Sequence, residues 1–339
     1  MLKKTIITLL TGTSLAGLFT YGLHLPKTIA QETQGILVTQ SSSQIKVEDI
    51  KGFKGVIVTL GAAPDGKTLI VASNDGMVTA IDAENLESKY SQPLRANPYS
   101  NIAFSSDGKL FAVPSKQEVF LYDTDTGRTI RTLRGHSGNV SSVAMSPDNR
   151  MLVSVSGEDW SIKIWDVEKG TMMKELGEDI GPVTTVAFSP EGKFFVTGAI
   201  GNDRTIKFWD AETFELLNTS PQQPGFIYSL GITPDGKNLV AAVRNFVKVW
   251  DLNTNKEILN LKGPQLDLNK VAVSPDNRLV ATANREGTVM IMDISQGKEL
   301  GTLRGHEGWV QSVGFSPDGK TLYSGAEDKI VKVWDVSNF

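Results

Sequence analysis

The chain of 339 residues contains no cysteine. Disulfides, thiolate metal sites and cysteine nucleophiles are therefore excluded, and any core must hold without covalent staples. Histidine is nearly as scarce, with three in all, one of them (His24) near the N-terminus. His136 and His306 alone serve the rest of the chain, so zinc or iron centres and serine–histidine pairs lack material. Positive charge is not in excess either: 34 basic side chains face 38 acidic ones. Non-specific nucleic-acid binding needs dense positive charge, so nucleic acid is not an expected partner. Gly55, Gly61 and Gly66 are not followed by the lysine and hydroxyl residue of a phosphate cradle. Fragments such as Asp123-Thr124-Asp125 are too short for a calcium loop, which needs a longer ordered run of oxygen ligands ending in glutamate. The expectation is no catalytic residue, no cofactor and no metal.

Long apolar runs are confined to the N-terminus. Lys3-Lys4 precede an uncharged stretch from Thr5 to Leu25, and small residues follow at Thr28 and Ala30. A basic start, an apolar middle and a small-x-small end predict a secretory signal peptide over residues 1–30, cut after Ala30. The protein is then exported, periplasmic or extracellular, with no membrane span after cleavage. The rival is an uncleaved membrane anchor, since the stretch approaches about 20 residues. Gly12, Gly17, Gly22 and scattered threonines make it a poor permanent span. Cleavage removes Lys3, Lys4 and Lys27 and no acid, leaving 31 basic and 38 acidic side chains, a net of −7. Residues 31–44, rich in Gln, Ser and Thr, read as a linker into a domain over 45–339.

That domain repeats one pattern seven times. Each copy opens on a turn such as Ser316-Pro317-Asp318-Gly319 and closes on an apolar or aromatic residue followed by aspartate. The closing residues Asp82, Asp123, Asp166, Asp210, Asp251, Asp293 and Asp335 are spaced by 41, 43, 44, 41, 42 and 42 positions. A period of that length signals a propeller or solenoid. Within a copy, Val310 to Phe315 alternates in the manner of a strand, and the proline and glycine of the turn preset its backbone angles. A second strand over Thr321–Gly325, a third over Ile330–Trp334 and a fourth before the next copy make four antiparallel strands. A unit with two apolar faces needs neighbours on both sides, which a closed ring supplies. The last copy lacks its fourth strand. Gln44 to Phe53 is an orphan strand at the other end, and pairing the two closes the ring and removes two open sheet edges. The fold expected is all-β, a seven-bladed propeller closed by the N-terminal strand.

The third copy carries Leu133-Arg134-Gly135-His136, Ser146-Pro147-Asp148 and Asp159-x-x-Ile162-Lys163-Ile164-Trp165-Asp166. The seventh carries Leu303-Arg304-Gly305-His306, Ser316-Pro317-Asp318-Gly319-Lys320 and Asp328-x-x-Val331-Lys332-Val333-Trp334-Asp335. These motifs, recurring in fixed order, closely resemble those of the tryptophan-aspartate (WD) repeat family. The resemblance implies a hydrogen-bonded chain inside a blade: His306, Ser324, Asp328 and Trp334 in the seventh, and His136, Asp159, Trp165 and either Ser154 or Ser156 in the third. A semi-buried imidazole and indole each need such a partner. Phe53, Arg95, Asp179, Gln223 and Pro264 stand at the histidine position of the other copies, which are expected to rely on packing alone.

A basic residue follows every opening turn, from Lys67 to Lys320, but each has a turn carboxylate beside it, which cancels the local field. The resemblance implies instead that partners bind on the opposite rim, at residues flanking the lead of each first strand and before the motif aspartate. Those positions hold Trp309, Gln311, Phe226, Tyr228, Asp267, Asn269, Glu327, Arg285, Glu158 and Asn202. Phe226, Tyr228, Arg285 and Trp309 gather over copies five to seven, and Trp, Tyr and Arg dominate interface energies. The alternative is that these rings only lid the central channel or pack between loops. Trp160 is a weaker candidate. The function expected is an exported, non-catalytic scaffold for a protein or peptide. The rivals are an envelope propeller enzyme or carbohydrate-binding propeller, and a membrane-tethered scaffold.

Overall fold

The structure, a computed structural model, describes residues 45–93, 101–177 and 181–339. The signal-peptide and linker readings, and Arg95 and Asp179, lie outside the described residues. Ile45–Phe339 form one compact unit of seven four-stranded antiparallel sheets. Six blades are continuous in sequence, at 57–93, 103–134, 140–176, 183–219, 227–262 and 268–304. Blade 7 runs from Val310 to Asp335 and takes its outermost strand, Val47–Ile50, from the start of the domain.

Period-two alternation places one set of side chains on each face of a blade. In the second strand of blade 5, Leu239, Ala241 and Val243 pack toward blade 4, while Val240 and Ala242 pack toward blade 6. The same division holds all round, so each junction between neighbouring blades has its own buried apolar cluster. No blade has a private core, and the ring is stable only as a whole. The outermost strands lack a neighbour on one side and are exposed, Thr171–Leu176 of blade 3 along nearly its full length.

Closure is by register: Val47 pairs with Trp334, Glu48 with Val333, Asp49 with Lys332 and Ile50 with Val331. The Lys332 ammonium, on a side chain 10% exposed, meets Asp49 at 2.7 Å. That contact, followed by a second one from Lys51, holds the Asp49 carboxyl below the usual range.

Opening turns and third-to-fourth-strand turns share one face. In blade 7, Ser316 Oγ donates to Asp318 at 2.5 Å, and the Ser316 oxygen accepts from Thr321 N–H at 3.0 Å. The fourth turn residue is left-handed in every blade: Gly66, Gly108, Asn149, Gly192, Gly236, Asn277 and Gly319. Asparagine tolerates that conformation, and its side chain stitches blades together. Asn149 accepts from Ser106 N–H of blade 2 at 2.7 Å, and Asn277 from Asp235 N–H of blade 5 at 2.8 Å.

The imidazole chain is complete in blades 3 and 7. Trp334 Nε1–H donates to Ser324 Oγ at 2.8 Å, Ser324 lies 2.7 Å from His306 Nε2, and His306 Nδ1 lies 2.8 Å from Asp328. A carboxylate only accepts, so Nδ1 carries the proton and Nε2 accepts from the serine hydroxyl. In blade 3 the serine is Ser154, at 2.7 Å from His136 and 2.8 Å from Trp165. Ser156 instead accepts from the Glu158 and Asp159 N–H groups. Burial pushes both imidazoles below their ordinary pKa despite the neighbouring aspartates. Burial pushes Asp159 up, but bonds from Ser161, His136 and Gly138 win and hold it at about 2.

The eroded blades do not all rely on packing. In blade 4, Trp209 Nε1–H still donates to Thr197 at 2.9 Å, and Asp203 pairs with Lys207. In blade 6, Asn284 Nδ2–H donates to Thr288 at 2.8 Å. Without the histidine, the blade 4 rung Thr197 keeps its tryptophan donor, whereas the blade 6 rung Thr282 has no partner and the blade 6 turn is held instead by Asn284, which accepts from Glu286 N–H.

Candidate functional site

The opposite face carries the loops entering each blade and the turns between second and third strands. One backbone bond organises it. The N–H of the turn residue donates to the carbonyl just ahead of the first strand: Arg244 to Phe226 at 3.0 Å, Arg285 to Asp267 at 3.3 Å and Glu327 to Trp309 at 3.1 Å. Phe226, Asp267 and Trp309 are therefore the same position of blades 5, 6 and 7, each facing its own turn residue across the rim. A glycine precedes both aromatics for lack of space. A Cβ on Gly225 would sit 2.9 Å from Arg244 Cβ, and one on Gly308 would sit 3.0 Å from Glu327 Cβ.

Two residues further, Tyr228, Asn269 and Gln311 are each the second residue of their blade's first strand. Phe226 and Tyr228 meet edge to face, centroids 6.2 Å apart at 81°. The Arg285 guanidinium lies between two blades' aromatics, 5.7 Å from the Tyr228 centroid and 4.9 Å from that of Trp309. Its Nε–H donates to Asn269 Oδ1 at 3.1 Å, and Asn269 Nδ2–H donates to the Val310 carbonyl of blade 7 at 2.8 Å. Arg285 is thus fixed by three blades. Each such cation–π contact stabilises by about 0.5–1 kcal/mol at exposed sites.

The site carboxylates are engaged internally. Asp267 accepts from the Tyr228 hydroxyl at 3.1 Å; burial, then Asp267, pushes that phenol up. Glu327 accepts from Trp309 N–H and Gln311 Nε2–H, both at 3.3 Å. Yet Phe226 and Trp309 each remain 41% exposed, so packing consumes less than the whole of either ring. Leu266, 47% exposed, directly precedes Asp267 on a loop held by Glu286, which accepts from Gln265 and Leu266 N–H.

Phe226, Tyr228, Asp267, Asn269, Arg285, Trp309, Gln311 and Glu327 therefore form one contact-linked sector over blades 5–7. Glu158, Asn202 and Trp160 belong to blades 3 and 4, and among the described residues none of them bonds to that sector. Glu158 binds Asn139 through both oxygens. Trp160 is 54% exposed and left-handed, φ 56°, an uncommon state for a bulky side chain. The sequence reading missed Arg244, because blade 5 has Asn245 where the motif aspartate would mark the place. It also missed Leu266, Glu286 and Lys270.

Lys270 stands out by comparison with its equivalents. At its position in the first strand, Asn101, Ser142, Thr185 and Ser312 each accept a backbone N–H of the next blade's first strand, Val143, Val186, Leu230 and Leu60 in turn. An ammonium has only donors and cannot do this. Burial pushes its pKa down to about 8. No group of three or more potential metal-ligating side chains occurs among the described residues.

The profile of the WD domain, G-beta repeat, matches residues 127–166, 172–210, 255–293 and 297–335. An uncharacterized WD repeat-containing protein of Synechocystis sp. is 53% identical over 266 residues, 78% of this chain and 74% of its own length. A WD repeat-containing protein of Schistosoma mansoni is 36% identical over 110 residues, 32% of this chain and 36% of that protein. A target of rapamycin complex subunit of Saccharomyces cerevisiae is 41% identical over 70 residues, 20% of this chain and 23% of that protein.

Proposed function

The chain belongs to the WD-repeat family, and from that premise we propose that it is an exported, non-catalytic scaffold that binds a protein or peptide through the rim sector of blades 5–7. The observation that carries the reading is that sector. Two aromatic rings stay about two-fifths exposed while an arginine is clamped between Tyr228 and Trp309. Rigid aromatics and arginine, presented with little rotamer freedom to lose, are what interface hot spots are made of. One relative is by its name a subunit of a complex, which supports assembly rather than turnover. Export rests on the basic, apolar and small-residue order of residues 1–30.

The test is affinity capture from an envelope extract with the wild-type chain and with Phe226→Ala/Trp309→Ala. The double variant loses the captured partner while remaining folded, its melting temperature lowered by only a few degrees through the lost ring contacts. An unchanged partner list refutes the rim assignment. Intact mass of the protein recovered from its host tests export: loss of residues 1–30 is expected, and a full-length mass in the membrane fraction supports the tethered form instead.

A further inference from the structure

Arg285 is built into the rim with its working end unused. Nε–H is bonded to Asn269 and the guanidinium carbon lies 5.7 Å and 4.9 Å from the ring centroids of Tyr228 and Trp309. Nη1 and Nη2 have no partner among the described residues, and the guanidinium pairs with no carboxylate there. The buried lysines at the third strands, Lys163, Lys248 and Lys332, are each matched to an acid. The neighbouring Asp267 and Glu327 have oxygens turned to Tyr228, Trp309 and Gln311, so they do not neutralise Arg285 by direct bonding. One residue along the strand from Asn269, Lys270 is a second cation without a partner, at a place where the sister blades carry Asn101, Ser142, Thr185 and Ser312.

We propose that the rim over blades 5–7 is a carboxylate receptor: it takes the aspartate or glutamate side chain of an extended peptide on the free edge of Arg285, while an adjoining apolar residue covers Phe226 and Trp309. This rests on the rim being the binding face and adds the chemistry of the partner. A planar guanidinium held by its Nε and flanked by two aromatic rings presents its remaining N–H groups as an ordered fork, the geometry that matches a carboxylate in two parallel bonds. Because the fork is already ordered, little entropy is lost when the acid docks. Lys270 adds a poorly solvated positive charge on the same strand. The exposed rings supply the apolar half of the contact, and Leu266 extends it outward. A basic peptide finds no equivalent, since Asp267 already meets the Tyr228 hydroxyl and Arg244 of blade 5 and Glu327 accepts from Trp309 N–H and Gln311.

The experiment pans a random peptide library displayed on phage against the immobilised full chain, then measures selected sequences as synthetic peptides. Enriched peptides carry Asp or Glu next to an apolar residue. Replacing that acid with its amide weakens binding at least about tenfold, the scale of a lost charge-assisted bond. Arg285→Gln binds the acid and amide peptides alike, Arg285→Lys retains part of the preference, and Lys270→Ser weakens only the acidic peptide. Phe226→Ala weakens both. Peptides that lose affinity with Phe226→Ala but show no acid preference overturn the receptor while leaving the rim reading intact. Peptides indifferent to both Phe226→Ala and Trp309→Ala overturn the rim reading itself. Inorganic phosphate binding that matches the acidic peptide and ignores Phe226→Ala overturns the peptide assignment. The acid-to-amide comparison uses wild-type protein, so the result stands even where an Arg285 variant folds poorly.

Discussion

Ser324 and Thr282 occupy the same rung of blades 7 and 6, opposite Val313 and Val271, and both are fully buried. Their hydroxyls have opposite fates. Ser324 Oγ receives the Trp334 indole N–H and lies 2.7 Å from His306 Nε2, whereas Thr282 Oγ1 has no partner, because Met292 stands where blade 7 has Trp334. Ser324→Ala therefore strands a buried indole donor and a buried imidazole acceptor. At about 1–3 kcal/mol for each unsatisfied group, offset partly by local relaxation, the expected cost is about 2–4 kcal/mol. Thr282→Val removes a hydroxyl that is already unpaired and keeps the shape, so it should be neutral or stabilising by about 1 kcal/mol. For a ring of this size, 1 kcal/mol shifts the melting temperature by about 1.6 °C. Scanning calorimetry and urea titration should show Ser324→Ala down by about 3–6 °C and Thr282→Val unchanged or up. Equal losses for the two substitutions would refute the reasoning, since burial alone would then set the cost and the imidazole chain would contribute nothing.

Lys270→Ser restores a hydroxyl to the channel-lining belt. An ammonium pushed from 10.5 to about 8 sets a ceiling of about 3 kcal/mol by linkage, cut to about 1–2 kcal/mol by the solvent its side chain still meets. The folded-state pKa lies below the unfolded one, so the penalty is full below about pH 8 and fades as pH rises toward 10.5. Urea midpoints should rise over that interval in the wild type and stay flat in the variant. At the acid end, His136 and His306 are held below 6.5, so the unfolded chain binds protons first. Their contribution is complete above about pH 6.5 and is lost as pH falls through their folded pKa values, while Asp159 is lost only between about 3.8 and about 2. A His136→Gln/His306→Gln variant should be less stable at pH 7 but flatter between pH 6.5 and 5, read from urea midpoints. Deleting residues 45–52 removes the closing strand, the Asp49 partner of Lys332 and the apolar contacts of Ile45 and Ile50. The sum is about 4 kcal/mol, or about 7 °C in calorimetry; an unchanged melting curve would contradict ring closure by that strand.

Much of the architecture was legible because the repeat states it seven times. The turn signal, the strand alternation and the missing fourth strand of the last copy led to the sheets and to the pairing of Val47–Ile50 with blade 7. The imidazole chain was legible where the motif is whole. The choice between Ser154 and Ser156 was not, because blade 3 carries one residue more before Asp159 than blade 7 does before Asp328, and only strand register, Val143 opposite Ser154 as Val313 is opposite Ser324, decides it. Blade 4 kept a polar link through Thr197 and Trp209 that a search keyed to histidine passes over. At the rim, alignment of the copies brought Phe226, Tyr228, Arg285 and Trp309 together, but the stacking of Arg285 between two other blades is a three-dimensional fact no single copy contains. Lys270 was hidden for a related reason. Its oddity appears only beside the hydrogen bonds that Asn101, Ser142, Thr185 and Ser312 make to the next blade.

The claim that the rim over blades 5–7 is the partner-binding face has an internal rival on the molecule itself. The outer strands of blades 3 and 4 also expose apolar side chains, among them Met173 at 49% and Leu217 at 57%, and open sheet edges invite pairing. Site-specific photo-crosslinking separates the two surfaces directly. A photoreactive phenylalanine at position 226 should trap a discrete partner adduct in the cell envelope, and the same residue at position 173 should trap none. Adducts from position 173 with none from position 226 would contradict the account and move the binding face to the outer edge of the ring.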